Sequence, residues 1–185
     1  YFHDNFIGAV ERLTDHLASM PDGPREKLWR IRAAEVILAQ GAIERPLVFE
    51  GNDTPGVMLA SSAKVFALRY GVAVGQSVAL MASHDSGWND AFALAGAGVG
   101  IAAIIDVRDG VDEALLAEAN ALGIDVRLGH SVIGVRGRLG VKGITVARND
   151  GTAASDITCD ALLMAGGWTP TACCRSPTDP AWGLN

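Results

Sequence analysis

Apolar residues recur along this chain in two rhythms, and between Ser77 and Leu128 they alternate regularly enough to indicate a fold class. Strand-like runs at Ser77 to Met81, Ile101 to Val107 and Asp125 to Leu128 are separated by helical runs near Ser86 to Ala97 and at Val111 to Ala121. A β-α-β-α-β order is half of a Rossmann-like, doubly wound α/β fold built on a parallel sheet. Upstream, a helix is predicted over Met58 to Tyr70, with Leu59, Ala63, Phe66 and Ala67 apolar and with Gly71 and Gly75 at its exit. Leu28 to Ile31 alternate as a strand does, and Val36 to Ala39 form a continuous apolar strand that stops at Gly41. Val10, Leu13 and Leu17 fall at helical spacing, but the turn-forming MPDGP that follows predicts a loosely packed opening.

After Leu128 the period changes. Short β-branched runs predict antiparallel strands around Ser131 to Arg136 and Val141 to Arg148, with a turn at Asn149-Asp150-Gly151. Ala161 to Ala165 is again a buried-type strand and ends in Gly166 and Gly167, whereas the tail beyond Trp168 carries three prolines and no clear period. The expected organisation is a partial, strand-rich remnant of a first lobe over 1–50, a central nucleotide-binding domain over 51–150, and a return strand with an irregular tail over 151–185. Strands cut off from their partners leave open edges, so self-association into a homo-oligomer is expected.

Composition narrows the function classes. With 22 glycines, 49% apolar residues and 6% aromatics, the chain suits helices lying close on a buried sheet. A net charge of -6, with arginines scattered rather than gathered on one face, argues against nucleic acid as a partner. The longest uncharged apolar run, Ala91 to Ile105, is shorter than the roughly 20 residues of a membrane helix and is interrupted by Gly96, Gly98 and Gly100, so no membrane span is expected. Three cysteines, Cys159 and the adjacent Cys173 and Cys174, lack the spacing of a zinc or dithiol site and predict a reduced, cytoplasmic protein. The opening YFHDNFIGAVERL has neither an initiator methionine nor a signal-peptide layout, and is expected to continue a longer chain.

Candidate chemistry gathers at strand ends. The turn after Met81 lies between a strand and a helix, as a dinucleotide fingerprint requires, but the three glycine positions of G-x-G-x-x-G hold Ala82, His84 and Gly87. The helix amide end, with Ser83 and Ser86 as hydroxyl donors, favours an anion, while Asp85 in the first turn repels one. Gly96-Ala97-Gly98-Val99-Gly100 follows a helix and precedes a strand, the wrong order for a fingerprint, and Gly98 is assigned as the left-handed residue closing the helix. Asp106, about 20 residues past the first turn, is placed to bind ribose hydroxyls, and Arg108 beside it to meet a 2′-phosphate instead. The small-residue strand ends Ala39-Gln40-Gly41 and Ala165-Gly166-Gly167 allow backbone and cofactor to approach each other. His3, His16 and His130 have no partners at metal-ligand spacing, so no metal site is expected, and no catalytic constellation is assembled.

GAIERPLVF at Gly41 to Phe49, NDTPGVMLA at Asn52 to Ala60, LRYGVAVG at Leu68 to Gly75 and MAGGWTP at Met164 to Pro170 together resemble the α subunit of heterotetrameric sarcosine oxidase over nearly the whole chain. The resemblance implies an FAD/NAD(P)-binding two-dinucleotide fold, a noncovalent NAD on this subunit, flavin (FAD or FMN) elsewhere in the complex, and other subunits as partners. It also implies that Gln40, Gly41, Gly166 and Gly167 approach the cofactor held by the amino-terminal nucleotide-binding lobe, whose own glycine fingerprint is absent from this sequence. Where the family often shows threonine the chain has Gln40, and where it shows an asparagine-rich loop the chain has Ala82 to Asp85.

Three functions follow as expectations. The first is the dinucleotide-binding part of a flavoprotein that oxidatively demethylates a small secondary amine such as sarcosine, with oxygen as acceptor; the fragment alone is expected to be inactive. Another flavin-dependent amine or opine dehydrogenase, and a vestigial nucleotide fold serving as a docking lobe, are the alternatives.

Overall fold

The computed structural model describes residues 5–37 and 39–171. Leu38, His3, Cys173, Cys174 and the rest of the tail lie outside them, with the expectations that concerned them. The chain forms two compact units, one of Tyr1–Ala42 with Pro170–Asn185 and a larger one of Ile43–Thr169.

In the smaller unit the described residues form an antiparallel hairpin of β1 (Phe6–Arg12) and β2 (Glu26–Arg32), with Ile7 opposite Ile31 and Ala9 opposite Trp29. The helical spacing of Val10, Leu13 and Leu17 is therefore not realised. Cross-strand pairing of the alternating residues in β2 takes Val10 into a ladder instead. Nor do Val36, Ile37 and Ala39 form the expected strand, and Ile37 is 92% exposed. A continuous apolar run makes a buried strand only where neighbours pair with it on both sides, and the described residues of this unit offer only the hairpin.

The larger unit runs β3 (Ala42–Glu44), β4 (Val57–Leu59), α1 (Ala60–Tyr70), β5 (Ser77–Ala82), α2 (Asp85–Gly96), β6 (Gly100–Asp106), α3 (Glu113–Ala121), β7 (Asp125–Leu128), β8 (His130–Arg136), β9 (Gly143–Arg148), β10 (Ser155–Ile157), β11 (Ala161–Ala165) and β12 (Trp168–Pro170). β3 and β12 pair as a short ribbon where the chain enters and leaves this unit. The central sheet has the order β4-β11-β5-β6-β7, with every neighbouring pair parallel.

Both faces of that sheet are covered, which is why its strands read as near-continuous apolar runs. On one face Val78, Leu80, Ala82, Ile104, Leu163 and Ala165 pack under the three helices against Ala60, Ala63, Trp88, Phe92, Leu94 and Ala119. The alternate residues Ala79, Met81, Ala103, Ile105 and Leu162 face Val132, Ile144 and Val146 of the antiparallel sheet β10-β9-β8. The strand-rich insert thus forms the third layer. Each of the valine, leucine, isoleucine and methionine side chains among them contributes about 1.5–3 kcal/mol through burial, and each alanine less. A register shift between Val132 and Gly134 bulges Ile133 out of the pairing with β9, and it is partly exposed. Gly98 closes α2 with φ +87° and its N–H on the Ala95 carbonyl, the left-handed role the sequence indicates. No helix among the described residues is long and apolar enough to cross a membrane.

Candidate functional site

Parallel pairing sets three strand tips side by side: Ala165 is opposite Ala82, and Ala82 is opposite Asp106. The Ser83 amide bonds the Ala165 carbonyl at 3.0 Å and the Val107 amide bonds that of Ala82 at 3.1 Å, so the three loops leave the sheet from a common edge. This edge brings together Ser83, His84, Ser86, Gly87, Asp106, Arg108, Gly166 and Gly167. Gln40 and Gly41 belong to the other unit, where the Gly41 carbonyl accepts from both the amide (3.0 Å) and the hydroxyl (2.9 Å) of Thr171.

The small residues at this edge have steric causes. A Cβ on Gly87 would stand 2.7 Å from the Ala165 Cβ and 3.3 Å from the Ala82 Cβ, so the surviving fingerprint glycine seats α2 directly on the sheet. On Gly166 it would stand 2.6 Å from the Arg45 carbonyl, and Gly167 has φ +99°, which side-chain-bearing residues rarely adopt.

The three helix starts in this unit differ in what meets them. At α1, the buried Glu44 accepts from the Ser61 amide at 3.0 Å, and its other oxygen has no partner among the described residues. At α3, Asp112 caps the Ala114 amide at 2.9 Å. At α2, His84 stands at the cap position without a capping bond, and no side chain among the described residues accepts from the first-turn amides. The open amide end therefore belongs to the helix that follows the fingerprint turn.

Residues from distant parts of the chain surround that end. The Trp168 indole N–H donates to Ser86 Oγ at 2.9 Å, and Ser86 Oγ lies 2.7 Å from His84 Nδ1. Ser86 Oγ accepts the indole proton, and its contact with Nδ1 is compatible with either tautomer of His84, whose other ring nitrogen is Nε2. That Nε2 is buried without a partner among the described residues. The Arg45 guanidinium lies 3.6 Å from the position of a Cβ on Gly167, with the His84 ring 4.0 Å from the same point. Among the described residues Arg45 makes no ion pair. Glu44, Arg45 and Trp168 are not among the residues expected at the site: they lie within GAIERPLVF and MAGGWTP, but no local spacing gives them a binding role.

On the other side of α2 the chemistry is anionic. Asp106 is completely buried, and both of its oxygens are filled: Oδ2 accepts from Trp88 Nε1 (2.7 Å) and Arg108 Nη2 (2.8 Å), Oδ1 from the Arg108 amide (2.9 Å) and Nε (3.0 Å). Arg108 extends its remaining Nη1 to Asp85 at 2.7 Å. Its pKa is raised, first by the hydrogen bonds to Asp106 and then by Asp85, so it stays charged throughout the working range. The ribose role expected of Asp106 would require one of these four bonds to break. Beside Arg108 opens a cavity of about 290 Å³ lined by Asp109, Leu128, Gly129, Arg148, Asn149 and Asp150, near the lower limit for ligand pockets.

An open helix amide end, close-approach glycines and a guanidinium without an ion pair among the described residues thus stand at the carboxyl edge of a parallel sheet, the edge at which open α/β sheets bind ligands, with a small acidic cavity beside Arg108. No protein-family model matches the chain. It is 38% identical to the sarcosine oxidase subunit alpha of Rhizobium meliloti (strain 1021), over 98% of this chain and 18% of that protein. It is 37% identical to that of Corynebacterium sp. (strain P-1), over 90% of this chain and 18% of that protein. The chain thus spans about 18% of the length of the curated relatives it matches. Among solved structures, thioredoxin reductase of T. acidophilum superposes with a TM-score of 0.61 at 16% identity, covering 79% of this chain and 49% of that one, a likeness of fold. Over the segment it spans, this chain is similar to the α subunits of sarcosine oxidase.

Proposed function

We propose that this segment is the dinucleotide-binding part of a flavoprotein oxidoreductase that acts on the CH–NH group of a small secondary amine. The name of its relatives supports sarcosine as that amine, demethylated oxidatively with oxygen as acceptor. The observation that carries the reading is the contrast between helix starts: α1 and α3 meet Glu44 and Asp112, and α2 alone of the three keeps its first-turn amides open.

In this arrangement the α2 amide end, Ser83, Ser86 and Arg45 would hold the pyrophosphate of a noncovalent NAD. Gly166 and Gly167 would let the cofactor approach the backbone. Arg108 would meet the adenosine end. The bound dinucleotide supplies hydride-transfer chemistry, and the chain's residues bind and orient it; none is assigned a catalytic role. Flavin, as FAD or FMN, and the other subunits of a hetero-oligomeric, cytoplasmic oxidase complete the activity.

The Asp85–Arg108 pair favours a second reading, a vestigial nucleotide fold that docks other subunits, because a carboxylate in the first turn repels phosphate. Calorimetric titration of the full-length protein separates the two. Saturable NAD binding, weakened about tenfold by Arg45→Ala, is expected for the first, and absence of saturable binding leaves the second. Sarcosine-dependent hydrogen peroxide release by the intact complex tests the substrate, and opines in place of sarcosine test the alternative dehydrogenase.

A further inference from the structure

The three helices of the larger unit pack on one face of the same sheet, so each needs one apolar stripe, and the outward side of such a helix is ordinarily polar. α2 and α3 follow this rule. The residues they expose are polar, alanine or glycine, such as Asp85 and Asn89 on α2 and Glu113 and Glu118 on α3. α1 departs from it. Ala60, Ala63 and Ala67 recur at helical spacing and form its stripe against the sheet. Over its second half the rest of the circumference carries Val65, Phe66, Leu68 and Tyr70. Gly71 then turns the chain at φ +65°, and the Val72 amide bonds the Phe66 carbonyl at 2.9 Å, which adds Val72 to the same end.

These five side chains are between 43% and 60% exposed, and none belongs to either apolar core. The Phe66 and Tyr70 ring centroids are 6.2 Å apart. The Arg69 guanidinium lies 5.6 Å from the Tyr70 ring centroid, and it makes no ion pair among the described residues. A helix that is apolar on all sides is a buried helix, so this face calls for a covering element that the described residues do not supply.

The size of the face selects what covers it. Five half-exposed side chains make a patch of a few hundred Å², on the order of the largest patches on monomers, which are often functional. Separate proteins in a stable complex bury roughly 800 Å² each, and this patch offers about half of that. By itself it does not offset the translational and rotational freedom that a second copy or a free subunit loses on docking. A tethered segment meets the patch at an effective concentration near millimolar, and interfaces between domains of one chain are correspondingly small, about 600–1,500 Å² in total. The chain spans 18% of its curated relatives, and the remaining four-fifths or so of such a subunit is ample to supply the segment. Two aromatic rings and three branched aliphatic side chains match an apolar surface, and the unpaired Arg69 matches a carboxylate at its rim. We infer that the outer face of α1 is an intrachain docking surface: an apolar segment of the same polypeptide, from outside residues 1–185, covers Val65, Leu68 and Val72 and sets an acidic side chain against Arg69.

The inference does not rest on the dinucleotide reading, and loss of NAD binding would leave it untouched. A photo-reactive benzophenone side chain in place of Leu68, in the full-length subunit within its intact complex, tests it. Irradiation followed by peptide mapping is expected to find the crosslink on a peptide of the same polypeptide from outside residues 1–185. A mixture of isotope-labelled and unlabelled copies separates crosslinks within one polypeptide from those between copies. A crosslink to another subunit, to a second copy or to a peptide within residues 1–185 overturns the inference, as does the absence of any crosslink. Leu68→Cys gives an independent reading with a milder change. Its maleimide reaction, located by peptide mapping, is expected to be at least about tenfold slower in the native complex than in urea. Reaction as fast as in urea would show the face bare and overturn the inference.

Discussion

Arg108 touches two carboxylates, and their different burial predicts very different energetic weights. Asp106 is sealed from water and holds the Trp88 indole as well, so Asp106→Ala leaves four donors, one from Trp88 and three from Arg108, without their acceptor and is expected to cost about 3 kcal/mol in urea unfolding. Asp85 is largely solvated, and Asp85→Asn is expected to cost less than about 1 kcal/mol. Burial pushes the Cys159 thiol up to about 11, with the Asp160 charge adding to it. Between the ordinary thiol value of about 8.5 and about 11, an unfolded chain ionises this cysteine and the folded one does not. The neutral thiol therefore contributes stability that is complete below that window and is lost as pH rises through it. Unfolding free energies followed from pH 8 upward are expected to fall less steeply in Cys159→Ala. At this scale the sequence was only half legible. Spacing located Asp106 and Arg108, but the bond that makes one the holder of the other depends on side-chain direction, which spacing does not encode. Arg45 and Trp168 lie far from His84 along the chain, and only the strand order brings them together.

Elements were more legible than residues, for a reason visible in β5, β6 and β11. Each is buried on both faces, so its apolar run is uninterrupted, and each ends in a turn of small or polar residues. Boundaries of the helices between them fall within two residues of the apolar periodicity, since sheet contact selects the same stripe that the sequence displays. The failures have a common cause. Val10 and the run beginning at Val36 have apolar patterns whose outcome depends on pairing partners, and a local pattern does not specify partners. The α2–sheet contact gives the sharpest test at this scale. Gly87→Ala inserts a methyl 2.7 Å from the Ala165 Cβ, and both belong to backbone-fixed positions, so α2 must lift or tilt. A loss of about 1–3 kcal/mol is expected from this overpacking. NAD affinity should fall as well, because the amide end moves with the helix. By contrast Gly110→Ala, where a Cβ meets nothing within 4 Å, should leave stability nearly unchanged.

At the scale of the molecule, the two units differ in what holds them. The larger one has two apolar layers on one parallel sheet, and Val78, Leu80, Ile104, Ile105, Leu162 and Leu163 lie wholly inside. In the smaller one the described strands form a single hairpin whose second strand is exposed at every position, with cross-strand contacts such as Trp29 Nε1 on Glu11 at 2.8 Å. Burial of apolar surface is what opposes chain entropy, and a two-stranded hairpin with little of it is marginal by itself. Hydrogen exchange in the full-length protein is therefore expected to divide along the same boundary. Amides of β5, β6 and β11 should exchange only on global opening, and those of β1 and β2 should exchange through local opening, faster by several orders of magnitude. If β1 and β2 were as protected as the central strands, another part of the full-length protein must cover the apolar face formed by Ile7, Ala9, Trp29 and Ile31. Trp29→Ser would then lower the protection of the hairpin while leaving that of β5 untouched, because no residue of the hairpin contributes to either apolar core of the larger unit.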